Sequence, residues 1–110
     1  MKRKILIIGL GGIGEAHLKS IINYRNYQIE VCEKDLKKIN ILKSKYNTNN
    51  IKYITRLPKN KKYYLCIIST NPKERFGIAK AIIKCNNLRY ILFEKFVFSK
   101  IHNYEKMANY

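Results

Sequence analysis

Closely spaced glycines near the start of the chain are the residues most suited to chemistry. They follow an apolar run at residues 5–8 and are Gly9, Gly11, Gly12 and Gly14. In a G-x-G-x-x-G pattern the first glycine permits a sharp turn, the second leaves bare backbone, and the third lets a helix approach a strand. Amide groups at the start of that helix can bind an anion. The pattern therefore predicts a cradle for a diphosphate, formed by these glycines and Ile13.

An acidic residue follows at the distance that a dinucleotide site requires, which is about 20 positions beyond the glycines. Glu33 ends the second strand-like segment, where its carboxylate could accept hydrogen bonds from both ribose hydroxyls of NAD and repel the 2′-phosphate of NADP. Lys34, Lys37 and Lys38 crowd the same turn and could accept a phosphate. We expect NAD as the cofactor, with NADP as the alternative. A glycine turn without a ligand, and Asp35 as a helix cap, also stay open.

Alternating strands and helices must position these residues. Apolar and β-branched runs predict strands at residues 5–8, 28–33, 51–54, 63–69 and 90–93. Helical spacing between them joins Ile13, Ala16, Ile21 and Tyr24, and then Leu36, Ile39, Leu42 and Tyr46. Parallel neighbours require crossover helices. The order therefore predicts an α/β fold with a doubly wound parallel sheet, Rossmann-like, of about five strands.

The loop after the fourth predicted strand leads into a third helix. Asn71 is a capping residue and Pro72 suits the first helical position. Asn86 and Asn87 are expected to close this helix in a left-handed turn. Ser69, Thr70 and Asn71 then lie in the loop itself, where they could hydrogen-bond a cofactor.

The length and charge of the chain limit its class. Its 110 residues suit one domain, and we predict a nucleotide-binding domain at residues 1–98, followed at 99–110 by the start of a truncated helix leading to a missing domain. The formal net charge of +16 resembles that of a nucleic-acid binder. The basic residues are spread over nearly every segment, however, so we do not expect nucleic acid as the partner. A basic nucleic-acid-binding module and a decayed gene remnant remain the alternatives.

The cysteines and histidines predict neither a disulfide framework nor a metal site. No two of the cysteines are spaced as C-x-x-C, and His17 and His102 lack nearby ligand partners. The basic start followed by an apolar run resembles a signal peptide, but the glycines interrupt it. No run approaches the roughly 18 apolar residues that span a bilayer. We therefore expect a cytoplasmic protein without a membrane contact.

Landmarks along nearly the whole chain resemble the Gfo/Idh/MocA family of NAD(P)-dependent oxidoreductases. Residues 9–17 are similar to the family's glycine motif with its trailing histidine. Glu33 occupies the position at which the family has its ribose-binding acid. Residues 67–72 resemble the loop that lies beside the cofactor. Residues 93–95, Phe-Glu-Lys, resemble its E-K-P motif.

The resemblance implies an oxidoreductase that moves a hydride between NAD and a sugar, inositol or sugar nucleotide. It makes Lys95 the catalytic residue and places Glu94 at the cofactor, while His17 either supports the cofactor loop or fills a half-buried helix position. Phe96 and Arg75 depart from the family's proline and histidine. The family's C-terminal substrate domain has no counterpart here. We therefore expect a cofactor domain that is inactive alone, for which a separate chain could supply the substrate domain.

Overall fold

A parallel sheet forms the centre of the computed structural model, which describes residues 2–94 and 101–110. Within these residues the strands are β1 Arg3–Ile8, β2 Tyr27–Cys32, β3 Ile51–Ile54, β4 Lys62–Ile68 and β5 Asn87–Phe93. The helices are α1 Gly12–Ile21, α2 Leu36–Lys45, α3 Pro72–Cys85 and α4 Ile101–Met107. The predicted α/β fold with a parallel, Rossmann-like sheet is confirmed.

The strand order β3-β2-β1-β4-β5 reverses direction at β1. The chain moves outward from β1 to β3, then crosses to β4 on the other side of β1 and moves outward again. In register, Ile7 lies between Val31 of β2 and Ile67 of β4. The loops after β1 and β4 therefore diverge to opposite faces of the sheet and leave a crevice between them.

Hydrophobic clusters cover both faces of the sheet. Leu18 of α1 and Leu42 of α2 pack on one face, against side chains that include Ile7. Ala79 and Ile82 of α3 pack on the other. Residues 5–8 of β1 are buried on both faces, which is what their continuous apolar run predicts. Burying each such aliphatic side chain contributes about 1.5–3 kcal/mol.

The inward faces of the helices differ in detail from the predicted stripes. Ile13 is 54% exposed and Tyr24 is 61% exposed, and α1 instead buries Gly14 and Leu18. The close approach of Gly14 to the sheet sets the rotation of α1, so Ile13, one position earlier, points away. Tyr24 lies beyond the end of α1.

The expected left-handed turn at the end of α3 is wrong. Asn86 is extended, with φ −139° and ψ 165°, and β5 begins at the next residue. The Asn86 side chain holds this conformation, since its amide donates to Pro58 O at 2.8 Å and its oxygen accepts from Lys61 N at 3.0 Å. The left-handed asparagine is Asn60, with φ 58°.

Helix α4 packs on α3. Met107 lies against the cluster that α3 covers, and the Tyr110 ring lies 6.4 Å from the Phe76 ring, centroid to centroid. Tyr104 and Ala108 are exposed. The predicted domain boundary after residue 98 lies outside the described residues. None of the described helices is long and apolar enough to cross a membrane.

We predict that Gly14→Ala destabilises the fold. A Cβ at this position would lie 2.0 Å from Gly9 O, and a backbone atom cannot yield as a flexible side chain can. We expect the free energy of unfolding, measured in urea, to fall by about 3 kcal/mol or more. Gly12→Ala is the matched control because its new Cβ would have no described atom within 4 Å apart from its chain neighbours and the backbone of its own helix. Equal stability of the two variants would contradict the prediction.

Candidate functional site

A crevice of about 650 Å³ opens at the carboxyl ends of β1, β2 and β4, a volume typical of ligand sites. The predicted site residues that line it are Gly9, Gly11, Glu33, Ser69, Thr70 and Asn71. Gly12, Ile13 and Gly14 form the first residues of α1 next to it. Glu94 follows β5 and does not line the crevice. Lys95 lies outside the described residues.

The glycine loop has the backbone geometry that its pattern requires. Gly9 takes φ 92°, a conformation that side chains disfavour. Gly14 touches the Gly9 carbonyl, whereas a Cβ on Gly11 would meet no described atom within 4 Å apart from its chain neighbours. Gly11 is also the N-cap residue of α1 and has no side chain to occupy the helix amides. Those amides and the space at Gly11 therefore suit an anion such as a diphosphate.

Glu33 braces the glycine loop. It is only 8% exposed, and its Oε1 accepts from Leu10 N at 3.0 Å while its Oε2 accepts from Asp35 N at 2.9 Å. Leu10 stands between the first two glycines, so the carboxylate ties that loop to the end of β2. Each carboxylate oxygen keeps further acceptor capacity for a ribose hydroxyl. The bracing role is one that sequence patterns did not predict.

The two helix caps are confirmed. Asp35 Oδ1 accepts from Lys37 N at 2.9 Å at the start of α2. Asn71 Oδ1 accepts from Lys73 N at 3.0 Å at the start of α3. Both side chains are therefore already engaged by backbone amides.

Two hydroxyl groups in the loop after β4 are left without partners. Ser69 Oγ and Thr70 Oγ1 are buried and have no hydrogen-bond partner among the described residues. An unsatisfied buried polar group costs about 1–3 kcal/mol. Since both residues line the crevice, a polar ligand there could recover part of that cost.

Arg75 joins the ends of β4 and β5. It is 4% exposed; its Nε donates to Thr70 O at 2.8 Å and its Nη1 to Glu94 O at 2.8 Å. In the sequence, Arg75 stands out only as a departure from the family pattern. Arg75 has helical spacing to Ala79 and Ile82, which are both buried. This spacing is the sequence signal that predicts Arg75 on the buried face of α3.

His17 contacts Glu94 from helix α1. Its Nε2 and Glu94 Oε1 are hydrogen-bonded and form an ion pair when the ring is protonated. The half-buried His17 therefore reaches the end of β5. Glu94 is held through its side chain by His17 and through its carbonyl by Arg75.

Two cysteines are buried near the site: Cys32 lines the crevice, and Cys66 lies in the hydrophobic cluster that α3 covers. Burial raises the pKa of the Cys32 thiol from 9.0 to about 11, and the charge of Glu33 adds to the shift. Burial, followed by the effect of Cys32, raises the pKa of Cys66 to about 12. Both thiols are neutral near pH 7, and neither is poised as a nucleophile.

Comparison with known proteins agrees with this geometry. Residues 3–110 match the sequence model of the Gfo/Idh/MocA oxidoreductase family, described by its NAD-binding Rossmann fold. This chain belongs to the Gfo/Idh/MocA family. Its cofactor is NAD, as the family description states. A search of curated proteins finds no match.

Solved structures share the fold at low sequence identity. Scyllo-inositol dehydrogenase from Lactobacillus casei, solved with NAD(H) and scyllo-inositol, has TM-score 0.75 and 13% identity, with 99% of this chain and 32% of that chain covered. The MviM dehydrogenase from Clostridium difficile has TM-score 0.79 and 14% identity, with 99% and 35% covered. The WlbA dehydrogenase from Bordetella pertussis, solved with NADH and UDP-GlcNAcA, has TM-score 0.78 and 13% identity, with 98% and 32% covered. The chain thus spans about a third of these relatives' length.

We predict that Arg75→Lys weakens the link between β4 and β5. A lysine cannot donate along two fixed directions as a guanidinium does. We expect the free energy of unfolding to fall by about 1–3 kcal/mol, measured by urea denaturation. Arg25→Lys, at an exposed position in the turn after α1, should change it by less than about 0.5 kcal/mol. Equal midpoints for the two variants would refute the bridging role.

We also predict a loss of stability at alkaline pH. The folded thiols keep their protons up to about pH 11, whereas unfolded cysteines lose theirs near pH 9.0, so stability should fall as pH rises above 9.0. Each buried thiol should contribute about 1 kcal/mol per pH unit in that window. Urea unfolding at a series of pH values tests this. Cys66→Ala should be less stable at neutral pH, but its free energy of unfolding should fall less steeply with pH above 9.0. An unchanged slope would show that Cys66 does not contribute to the alkaline loss of stability.

Proposed function

We propose that the crevice binds NAD and that this chain is the cofactor-binding part of an oxidoreductase. The observation that carries the proposal is the glycine cradle, with Gly14 packed on Gly9 O and open space beside Gly11. The buried hydroxyls of Ser69 and Thr70 support it, since they lack partners among the described residues. Both features suit a polar, anionic ligand in this crevice.

Each part of the crevice takes a different part of the cofactor. The amides at the start of α1 would bind the diphosphate, with Gly9, Gly11, Gly12, Ile13 and Gly14 around it. Glu33 would accept from the adenosine ribose while it braces Leu10. The loop at Ser69, Thr70 and Asn71 would lie beside the remainder of the dinucleotide.

When bound, NAD would supply hydride transfer, and the chain would supply binding and orientation. We propose Lys95 as the residue that hydrogen-bonds the reacting oxygen of the substrate or moves its proton. Support comes from the residue before it. Glu94 is fixed through its side chain by His17 and through its carbonyl by Arg75.

We propose a sugar, inositol or sugar nucleotide as the substrate class. The names of the similar structures support this, since they include a scyllo-inositol dehydrogenase and a protein solved with UDP-GlcNAcA. Because the chain spans about a third of their length, we propose that these 110 residues bind cofactor without turning over substrate. A separate chain could supply the substrate domain. The three free cysteines support a cytoplasmic location.

We predict that NAD raises the melting temperature of the purified chain and that Gly11→Val reduces this effect. The valine side chain would enter the space of the diphosphate, and the backbone at Gly11, with φ −69°, tolerates a side chain. We expect the variant to stay folded and to lose at least about tenfold in affinity by calorimetry, the size of one lost charge-assisted contact.

Ala16→Val is the matched control, because it adds bulk at an exposed position of the same helix. It should bind NAD as the natural chain does. A natural chain that gives neither a thermal shift nor heat of binding at millimolar NAD would refute the proposed function.

A further inference from the structure

A basic surface lies at the amino ends of the strands, opposite the crevice. The basic residues are spread along the sequence, but parallel strands all begin at the same edge of a sheet, so distant segments meet there. Lys61, Lys62 and Lys84 together line a pocket of about 400 Å³ where β4 and β5 begin. A backbone hydrogen bond from Asn60 N to Cys85 O, at 2.7 Å, joins the two segments. The spread along the sequence therefore does not exclude a cluster in space.

Carboxylates do not neutralise this surface. No acidic side chain lines that pocket or the adjoining one, which Arg89 lines. Within the described part of the chain, none of these cations belongs to an ion pair. Four of the seven acidic residues lie instead at the crevice end of the sheet: Glu33, Asp35, Glu74 and Glu94. We call the surface of Lys61, Lys62, Lys84 and Arg89 the basic end.

A pair of tyrosine rings lies beside the basic end. Tyr64 of β4 and Tyr90 of β5 form an edge-to-face pair with ring centroids 5.4 Å apart. Arg3 of β1 lies over the Tyr64 ring at 4.2 Å from its centroid, and Arg89 lies 5.7 Å from the centroid of Tyr90. Two guanidinium groups thus flank the rings across three strands, and Lys62 precedes Tyr64 on the same strand.

Helices α1 and α2 leave Tyr90 exposed to solvent. Its partner in register, Leu65, packs against the hydrophobic cluster that these helices cover, so Tyr90 lies on the same face of the sheet. Tyr90 is nevertheless 50% exposed, and Leu92 on that face is also exposed. Among the described strands β5 is at the edge of the sheet. A planar ligand can therefore reach the Tyr90 ring without displacing any part of the fold described here.

Exposed rings among basic side chains suit a single-stranded nucleic acid. Its unpaired bases stack on aromatic rings, and its phosphates are held by lysine and arginine. The bases of a duplex are already stacked on one another, so exposed rings add little to duplex binding. We propose that the basic end binds single-stranded nucleic acid, with a base stacked on Tyr90 and phosphates held by Arg89 and Lys62. This site is separate from the crevice and does not rest on the proposed function.

Fluorescence anisotropy of the full chain with labelled oligo(U) RNA and oligo(dT) DNA, each of about 12 nucleotides, tests the proposal. Tyr90→Ala should weaken binding at least about fivefold, the contribution of one stacked base, and Tyr90→Phe should retain binding because it keeps the ring. Tyr104→Ala is the matched control. Tyr104 is 44% exposed and lies on α4, which packs on the other face of the sheet. Equal affinities of Tyr90→Ala and Tyr104→Ala would overturn the proposal.

Lys62→Ala tests the phosphate contact. The slope of log K against log salt concentration should become shallower by about 0.7, because each phosphate contact with a single strand releases about that many counterions. Lys73→Ala is the matched control, since it removes the same charge at the start of α3, at the crevice end. Equal changes of slope in the two variants would overturn the proposal, because the effect would then be one of net charge.

Further measurements separate this proposal from the proposed function. Saturating NAD should leave oligonucleotide binding unchanged, because the crevice lies at the opposite ends of the strands. Competition by NAD would overturn the proposal, as would equally tight binding of duplex DNA or no binding of either oligonucleotide at about 50 mM salt. Binding of either oligonucleotide supports it, and the ratio of the two affinities distinguishes RNA from DNA. A chain that binds oligonucleotide but not NAD would refute the proposed function alone.

Discussion

The contact between Gly14 and the Gly9 carbonyl governs the rest of this structure. With no side chain between them, the first turn of α1 lies directly against the end of β1. That approach sets the rotation of α1, which buries Leu18 and turns Ile13 outward. It also brings the free amides of the helix to the point where the strand order reverses. Packing of the core and the opening of the crevice are therefore consequences of the same backbone contact.

Buried charged side chains hold the walls of the crevice together. Glu33 joins the loop after β1 to the loop after β2, and Arg75 joins the loop after β4 to the end of β5. His17 adds a contact from α1 to Glu94. Glu33 and Arg75 bond mainly to backbone atoms, which cannot rotate away, so the loops are fixed before any ligand arrives. Such preorganisation lowers the entropy lost on binding.

Sequence patterns predicted the features that depend on near neighbours along the chain. The strands, the glycine conformations and the caps Asp35 and Asn71 each follow from a few adjacent residues. The roles of Glu33 and Arg75 were missed, since their partners lie on other loops. The rotation of α1 was also not predicted. The spacing of apolar residues predicts that a helix has an apolar face, but it does not show which face a close glycine contact turns towards the sheet. The left-handed turn predicted at Asn86 was wrong for the same reason, because the partners of its side chain, Pro58 and Lys61, lie on a distant segment.

The two backbone hydrogen bonds of Glu33 limit which residues can replace it. A carboxylate that holds Leu10 and Asp35 in place is needed for the loop itself, so replacing it would disturb the glycine loop. Exposed neighbours are under no such constraint. Lys34 and Lys38 can change with little effect on stability, because their side chains lie at the surface and outside both hydrophobic clusters. Positions 34 and 38 are therefore free to vary, while Glu33 is constrained by the backbone amides that it holds.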